Sequence, residues 1–95
     1  MKRKIVITSR FKRSLRKFVK GNQRIERQIA ESLSVMANDV YTPSLATHRL
    51  KGNLEGFKAC SCGYDCRIIF TIEIDMDTGQ EVIVLLNVGS HDDVY

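Results

Sequence analysis

Hydrophobic residues recur at helical spacing across the first half of the chain. In the segment 10–20 the apolar side chains fall at positions i, i+4, i+7 and i+8, which places them on one stripe of an amphipathic helix. Thr8 or Ser9 can cap the start of this helix, and Gly21 follows its end. A second helix of the same period is predicted over 23–38. Because only a short turn separates the two helices, they should form an antiparallel hairpin.

Strand patterns flank this hairpin. A short β-branched segment, 4–7, precedes it, and three longer segments follow it, at 57–62, 65–75 and 81–88. The sequence Asp77–Gln80 is typical of a hairpin turn. The last segment is apolar almost throughout, which predicts that both of its faces are buried or nearly so. The predicted order β-α-α-β-β-β is an α+β fold. Its last three strands form an antiparallel meander, the first strand joins the same sheet, and the helical hairpin packs on one face.

The length and composition fit one folded domain. The chain has 95 residues, of which 43% are hydrophobic, and this suffices for one modest core over residues 1–95. No apolar run reaches the roughly 18 residues that cross a bilayer. The apolar run after the basic N-terminus is also too short for a signal peptide. We therefore expect a cytoplasmic protein with no membrane contact.

Positive charge is concentrated in the first third of the chain. Up to Ile29 there are eleven Lys or Arg residues and one acidic residue, whereas the remainder has four basic and ten acidic residues. The net charge is only +4, although the first third of the chain is strongly basic. Such a region favours a polyanion such as RNA or DNA, or an acidic protein, as the partner. A solvated basic face that serves solubility is the alternative.

Three cysteines, Cys60, Cys62 and Cys66, lie close together in the sequence. Their odd number and the absence of a signal peptide argue against a disulfide framework. A zinc site would need His48 or His91 as a fourth ligand. Cysteines that alternate along a strand near a turn are more often plain thiols that fill space, and we expect no metal.

Four residues of the second half carry the groups that phosphodiester cleavage needs. His91 follows the last predicted strand, Asp65 and Arg67 begin the longest one, and His48 opens the basic segment His-Arg-Leu-Lys-Gly. RNA supplies its own nucleophile, the 2′-OH. A protein therefore has to align this oxygen, take its proton, stabilise the charged phosphorane and protonate the leaving oxygen. This chemistry requires no metal or cofactor.

Each of these residue types fits a step. His91 can act as base or acid, because the imidazole titrates near neutral pH, and His48 can be the second proton carrier. Asp65 can orient a histidine or act as a base, and Arg67 can hold the phosphate oxygens bidentately. Tyr95, four residues after His91, can stack on a base. Each residue also has a structural alternative. His91 could be an ordinary histidine of the terminal loop, Asp65 a turn residue, and Arg67 a strand residue paired with an acid. His48 could cap its loop, and Tyr95 could cover the edge of the sheet.

Four segments of the chain form an ordered set: Arg10–Lys20, His48–Gly52, Tyr64–Phe70 and Val88–Tyr95. In this order they resemble the RelE/ParE toxin superfamily of bacterial toxin–antitoxin systems, and the resemblance covers nearly the whole chain. The paired His-x-Leu-Lys-Gly and Gly-x-His-x3-aromatic segments are most similar to the YafQ branch.

The resemblance implies a RelE-like microbial RNase fold and a ribosome-dependent endoribonuclease that cleaves mRNA in the ribosomal A site. It also implies a cognate antitoxin that holds the toxin inactive, with a heterotetramer as one assembly. The catalytic set would be His91, Asp65, Arg67 and His48. The residues that bind substrate would be Tyr95, Lys51, Arg49, Arg13 and Lys17.

Two positions depart from the YafQ pattern. The pattern has a further histidine just before the strand of the aspartate, where this chain has Ala59–Gly63, and an aromatic residue directly after the aspartate, where Cys66 stands. Arg67 matches an arginine of the RelE branch and would compensate for these losses. Two other functions fit the same fold: a ParE-type inhibitor of DNA gyrase, which needs no proton-transferring histidine, and a nucleic-acid-binding module without toxicity.

Overall fold

A computed structural model describes residues 2–95 and contains one mixed sheet of five strands in the order β1-β5-β4-β3-β2. Adjacent strands are antiparallel except for β1 and β5, which are parallel. The elements, in chain order, are β1 (Lys4–Ile7), α1 (Ser9–Phe18), α2 (Gln23–Asn38), β2 (His48–Arg49), β3 (Lys58–Gly63), β4 (Cys66–Ile74), β5 (Glu81–Gly89) and α3 (His91–Val94), with short 3₁₀ helices at Pro43–Leu45 and Gly52–Leu54.

This architecture confirms the predicted α+β fold with its meander, its added first strand and its helices on one face. The predicted bounds of α2 agree with the structure. Those of the first two long strands differ by one residue at both ends, and those of the last strand differ by one residue at its end. Strand β2 and helix α3 were not predicted. Each is too short to show a period of its own, and each forms only because it lies against other elements.

The first helix is fixed to the sheet at its N-terminus by Thr8. The Thr8 Oγ1 accepts a hydrogen bond from the Phe11 main-chain N–H at 3.1 Å and donates one to the Leu85 carbonyl oxygen at 2.7 Å. A cap and a strand contact are thus made by one hydroxyl. Gly21 follows the helix with φ of +72°, a conformation that glycine adopts without steric cost, so the chain can turn directly into α2.

The main core lies between the two long helices and one face of the sheet. Phe11 from α1, Ile29 and Met36 from α2, and Ile68 and Phe70 from β4 are all almost fully buried there. Their burial removes large apolar side chains from water, which is the main favourable term in folding. None of the helices within residues 2–95 has the length and apolar content that crossing a bilayer requires.

The opposite face of the sheet is open except for a small second cluster. Ala59 and Ile69 are buried there against Val94 of α3, with Leu50 and Phe57 packed around them. Since neighbouring residues of a strand point to opposite faces, these side chains lie away from the long helices. The prediction that both faces of the last strand are buried or nearly so is confirmed except at Glu81, which is exposed. The face toward the helices is buried, while the alternate positions of β5 are only half-buried.

Candidate active site

The short C-terminal helix α3 folds back over the open face at the ends of β4 and β5. Val94, which is 8% exposed, packs on Ala59 and Ile69, and the Ser90 Oγ caps the helix by accepting from the Asp93 N–H at 3.3 Å. A Cβ added to Gly89 would lie 3.1 Å from the Asp93 Cβ. The absence of a side chain at this glycine therefore allows α3 to pack so close to the strand.

Asp65 connects the β3–β4 turn to α3. Its Oδ1 accepts a hydrogen bond from the main-chain N–H of His91 at 3.0 Å. The residue has φ of +49°, a left-handed conformation that Asp tolerates better than most residues with a Cβ. The carboxylate therefore binds the main chain of His91 at the start of the helix, where a negative charge is favourable, and fixes the position of this histidine through the backbone.

The imidazole of His91 is accessible to solvent and lies beside Tyr95. The ring centroids are 4.5 Å apart at an interplanar angle of 71°, an edge-to-face arrangement that aromatic rings prefer. The side chain of His91 is 63% exposed, and its Nδ1 lies 3.6 Å from the Asp92 Oδ1. One turn of helix thus presents an acid–base group and a ring together.

Arg67 lies at the start of β4, opposite Gly89 in the sheet register. Its Nη1 donates to the Cys66 carbonyl oxygen at 2.8 Å and to the Gly63 carbonyl oxygen at 3.3 Å. Partial burial raises the pKa of the Tyr95 phenol above its ordinary 10.0, and the charge of the nearby Arg67 opposes that rise. The guanidinium is therefore held by its own turn, at the strand position that pairs with Gly89, two residues before His91.

His48 lies on the same face of the sheet but at a distance from these groups. His48 pairs with Ala59 in β3, and Arg67 of β4 pairs with Ser61, two residues farther along β3. His48 and Arg67 are therefore two strands apart and two residues offset, which corresponds to about 12 Å between their Cα atoms. The His48 Nδ1 lies 3.0 Å from the Ala46 carbonyl oxygen. Because a carbonyl can only accept, Nδ1 is the ring nitrogen that donates in this contact.

Arg49 and Lys51 are both at the β2 edge of the sheet, outside the group around α3. Arg49 pairs with Lys58, so it points to the face opposite His48. Both residues line a cavity of about 630 Å³, together with Lys58, Phe57 and others. Lys58 was not predicted, because a single lysine at the start of a strand gives no sequence signal.

The two predicted substrate-binding residues of α1 occupy different places. Lys17 lines a cleft of about 390 Å³ together with Arg10, Asn87 and Asp93, so one edge of the basic helix adjoins α3. Arg13 lines a second, shallow groove of about 430 Å³ together with Arg16, Lys20 and Lys17, so Lys17 borders both the cleft and the groove. Arg10 was missed as an individual candidate, although the basic run of the helix included it.

The prediction of unpaired cysteines was wrong for two of the three. Cys62 and Cys66 form a disulfide, and their Cα atoms are 5.0 Å apart, within the range that a disulfide requires. The register of β3 and β4 shifts between Ser61 and Gly63, and this irregularity brings the two residues together. Within residues 2–95, no three His, Cys, Asp or Glu side chains are grouped as metal ligands.

Cys60 is the remaining thiol, and it is part of the core. Its Sγ lies 3.7 Å from the Met36 Sδ, and no part of the residue is exposed. Burial raises the pKa of the Cys60 thiol from its ordinary 9.0 to about 12. Since the thiolate is the reactive form, Cys60 behaves as an apolar side chain.

The chain matches the family model described as bacterial toxin of type II toxin–antitoxin system, YafQ, over residues 3–95. No curated protein sequence matches the chain.

Solved structures of similar fold come from several toxin systems. The E. coli DinJ–YafQ toxin–antitoxin complex matches with 11% identity and a TM-score of 0.75, covering 100% of this chain and 99% of that chain. The YoeB/ParE toxin from Agrobacterium tumefaciens matches with 12% identity and a TM-score of 0.74, covering 93% and 98%. The toxin–antitoxin complex RelBE2 from Mycobacterium tuberculosis matches with 20% identity and a TM-score of 0.69, covering 96% and 100%. At these identities the likeness shows a shared fold.

Proposed function

We propose that this chain, which belongs to the YafQ family of toxins of bacterial type II toxin–antitoxin systems, is an endoribonuclease that cleaves mRNA in the ribosomal A site. Its membership of the family confirms the resemblance that the sequence segments indicated. The observation that supports the activity is the grouping at one end of the sheet of an exposed imidazole, a fixed guanidinium and an aromatic ring, from His91, Arg67 and Tyr95.

The sheet order supports an assignment of proton carriers on the two sides of the phosphate. Arg67 is on β4, His48 is on β2 and His91 follows β5, so Arg67 comes between the two histidines in the order of the strands. A phosphate bound to Arg67 would have His91 on one side and His48 on the other. One imidazole would take the 2′-OH proton, the other would protonate the leaving 5′-oxygen, and Arg67 would stabilise the charge that develops on the phosphorane.

Asp65 has a positioning role in this mechanism. Its carboxylate accepts from the main-chain N–H of His91, and it therefore acts on the helix that carries the imidazole. Tyr95 would stack on a nucleobase next to the scissile phosphate, an interaction worth about 1–3 kcal/mol per base. Because a catalytic group has to be held close to its productive geometry, the contact between the turn and α3 is part of the site.

One basic surface adjoins this group and a second lies at the β2 edge of the sheet, and both would hold the RNA backbone. The cleft with Arg10 and Lys17 meets α3 through Asp93, and the cavity with Arg49 and Lys51 lies beyond His48 at the β2 edge. Phosphate contacts from such residues release bound counterions, so the affinity should fall steeply with salt. The basic first helix would also be part of the surface that a cognate antitoxin covers, and a heterotetramer is the assembly we expect.

The replacement of His91 by alanine tests the activity. Wild-type protein, His91→Ala and the control Met76→Ala are induced without antitoxin, and growth and transcript 5′ ends are recorded with and without active ribosomes. Met76 is 92% exposed beyond the other end of β4, so the control should arrest growth like the wild type. Undiminished cleavage by His91→Ala would exclude its catalytic role.

A gyrase assay separates this activity from its main rival. A ParE-type toxin would inhibit the supercoiling of DNA by purified gyrase and leave mRNA intact, whereas the proposed nuclease would cleave mRNA and leave supercoiling unchanged. The antitoxin is tested by purification of the chain together with the product of the adjacent gene. A stable monomer that this product does not bind would contradict the predicted partner.

A further inference from the structure

The β3–β4 turn is enclosed by a covalent ring. The disulfide joins Cys62 to Cys66 at a sequence separation of 4, so the ring contains Gly63, Tyr64 and Asp65. The two cysteines are only 3% and 2% exposed, whereas the tip of the turn at Tyr64 is fully exposed. The disulfide therefore anchors a projecting turn to the core at its two ends.

Two contacts of the candidate active site originate in this ring. Asp65 accepts the main-chain N–H of His91, and the carbonyl oxygens of Gly63 and Cys66 accept from the Arg67 guanidinium. The shape of one small ring thus sets the position of α3 and the direction of Arg67. In the described part of the chain, no other turn makes hydrogen bonds both to the main chain of His91 and to the Arg67 guanidinium.

The turn needs a constraint, because Asp65 has a left-handed conformation that is sparsely populated for a residue with a Cβ, and because Gly63 has a φ that only glycine adopts readily. Gly63 has φ of +136° and Asp65 has φ of +49°. A Cβ at Gly63 would lie 2.7 Å from the Gln28 Oε1, so the turn also packs tightly on α2. An open chain samples many other arrangements of such a turn, and closing the ring removes most of them.

We propose that the Cys62–Cys66 disulfide is a redox-sensitive positioning device that aligns Asp65 and Arg67 for the proposed nuclease activity. The inference rests on that proposed function. Reduction by a dithiol breaks the S–S bond and transfers two electrons and two protons, giving thiols at Cys62 and Cys66 and a disulfide in the reductant. The reverse exchange with a small-molecule disulfide closes the ring again and releases two thiols. The closed form is the active one.

A surface cleft gives a small thiol a route to one sulfur. The cleft has a volume of about 280 Å³ and lies between α2 and β3, where its lining includes Gln28, Ser32, Ser61 and Cys62. Thiol–disulfide exchange requires direct approach to a sulfur, so attack on Cys62 is the favoured path. Cys60 does not compete, because it is fully buried in the core.

The test compares one protein in two redox states. Wild-type protein is equilibrated with oxidised glutathione or with dithiothreitol, and alkylation followed by mass spectrometry counts the free thiols. Cleavage of mRNA on ribosomes and hydrogen exchange of the His91 amide are then measured for each state. We expect reduction to lower the cleavage rate and to speed the His91 amide exchange, each by roughly tenfold or more, and re-oxidation to restore both.

Variants separate positioning from folding. Cys62→Ser with Cys66→Ser should resemble the reduced wild type and should not respond to oxidant, whereas Cys60→Ala should keep the full redox response. Equal cleavage and equal His91 exchange in the two wild-type states would overturn the inference, as would a circular dichroism spectrum showing that reduction unfolds the whole protein. If neither state cleaves RNA, the proposed function fails, while the His91 exchange still decides whether the disulfide positions α3.

Discussion

Replacing Asp65 with asparagine and with alanine separates two roles of this residue. If the carboxylate serves to hold α3 through the His91 N–H, the asparagine amide oxygen can replace it, and Asn also tolerates the φ of +49°. If the carboxylate is a base, asparagine is as inactive as alanine. Asparagine has nearly the size of aspartate and keeps an acceptor oxygen without the charge, whereas alanine removes the acceptor altogether.

The expected effect on the detachment of α3 follows from the hydrogen bond between Asp65 and the His91 N–H and from the backbone conformation of Asp65. A hydrogen bond at a partly exposed position contributes about 0.5–1.5 kcal/mol net. Alanine in the left-handed region costs about 1 kcal/mol more than Asn or Asp there. Asp65→Ala should therefore favour the detachment of α3 by about 2 kcal/mol, a change of roughly thirtyfold in the population of the detached state, whereas Asp65→Asn should change it by less than about fivefold.

The measurements are the exchange rates of the amides in α3 and the rate of mRNA cleavage. Asp65→Ala should raise the exchange rate of the His91 amide and lower cleavage by similar factors, and Asp65→Asn should stay near the wild type in both. One result would refute this reasoning: loss of cleavage in Asp65→Asn equal to that in Asp65→Ala, with wild-type exchange at His91, since it would show that the charge itself takes part in the chemistry.

Three further predictions address other contacts. Gly89→Ala should displace α3, because the new Cβ would lie 3.1 Å from the Asp93 Cβ; circular dichroism should show a folded protein with cleavage lowered about tenfold or more, and unchanged cleavage would contradict the close packing. Lys17→Ala should lessen the slope of log affinity for RNA against log salt by about one unit, whereas Lys12→Ala, on the same helix but outside the cleft, should lessen it by less. The stability of the fold should also fall in alkali. Burial raises the pKa of Cys60 in the folded protein. The stabilisation that the neutral Cys60 thiol gives the fold is therefore fully present below pH 9.0 and is lost as the pH approaches about 12. The free energy of unfolding of Cys60→Ala should therefore fall less over this range, and identical pH profiles would argue against a buried neutral thiol.

Much of the fold could be predicted from short stretches of sequence. The apolar spacing within 23–38 predicts α2 with the bounds that the structure has, because a helix is stabilised by contacts between residues three and four positions apart. Alternation and β-branched residues likewise predict the long strands. The basic helix and the identity of the chemical groups, an imidazole at position 91 and a guanidinium at position 67, are also properties of the sequence.

The arrangement of the candidate site depends on contacts between distant residues. Asp65 and His91 are joined by a hydrogen bond across 26 positions, and no local pattern shows that the carboxylate binds the main chain and not the imidazole. The disulfide depends on the register shift between β3 and β4, and β2 exists only through its pairing with β3. The sequence alone determined which groups are present and which local elements carry them. The tertiary structure decided which of these groups meet, because strand register and helix docking are set by the packing of the whole chain.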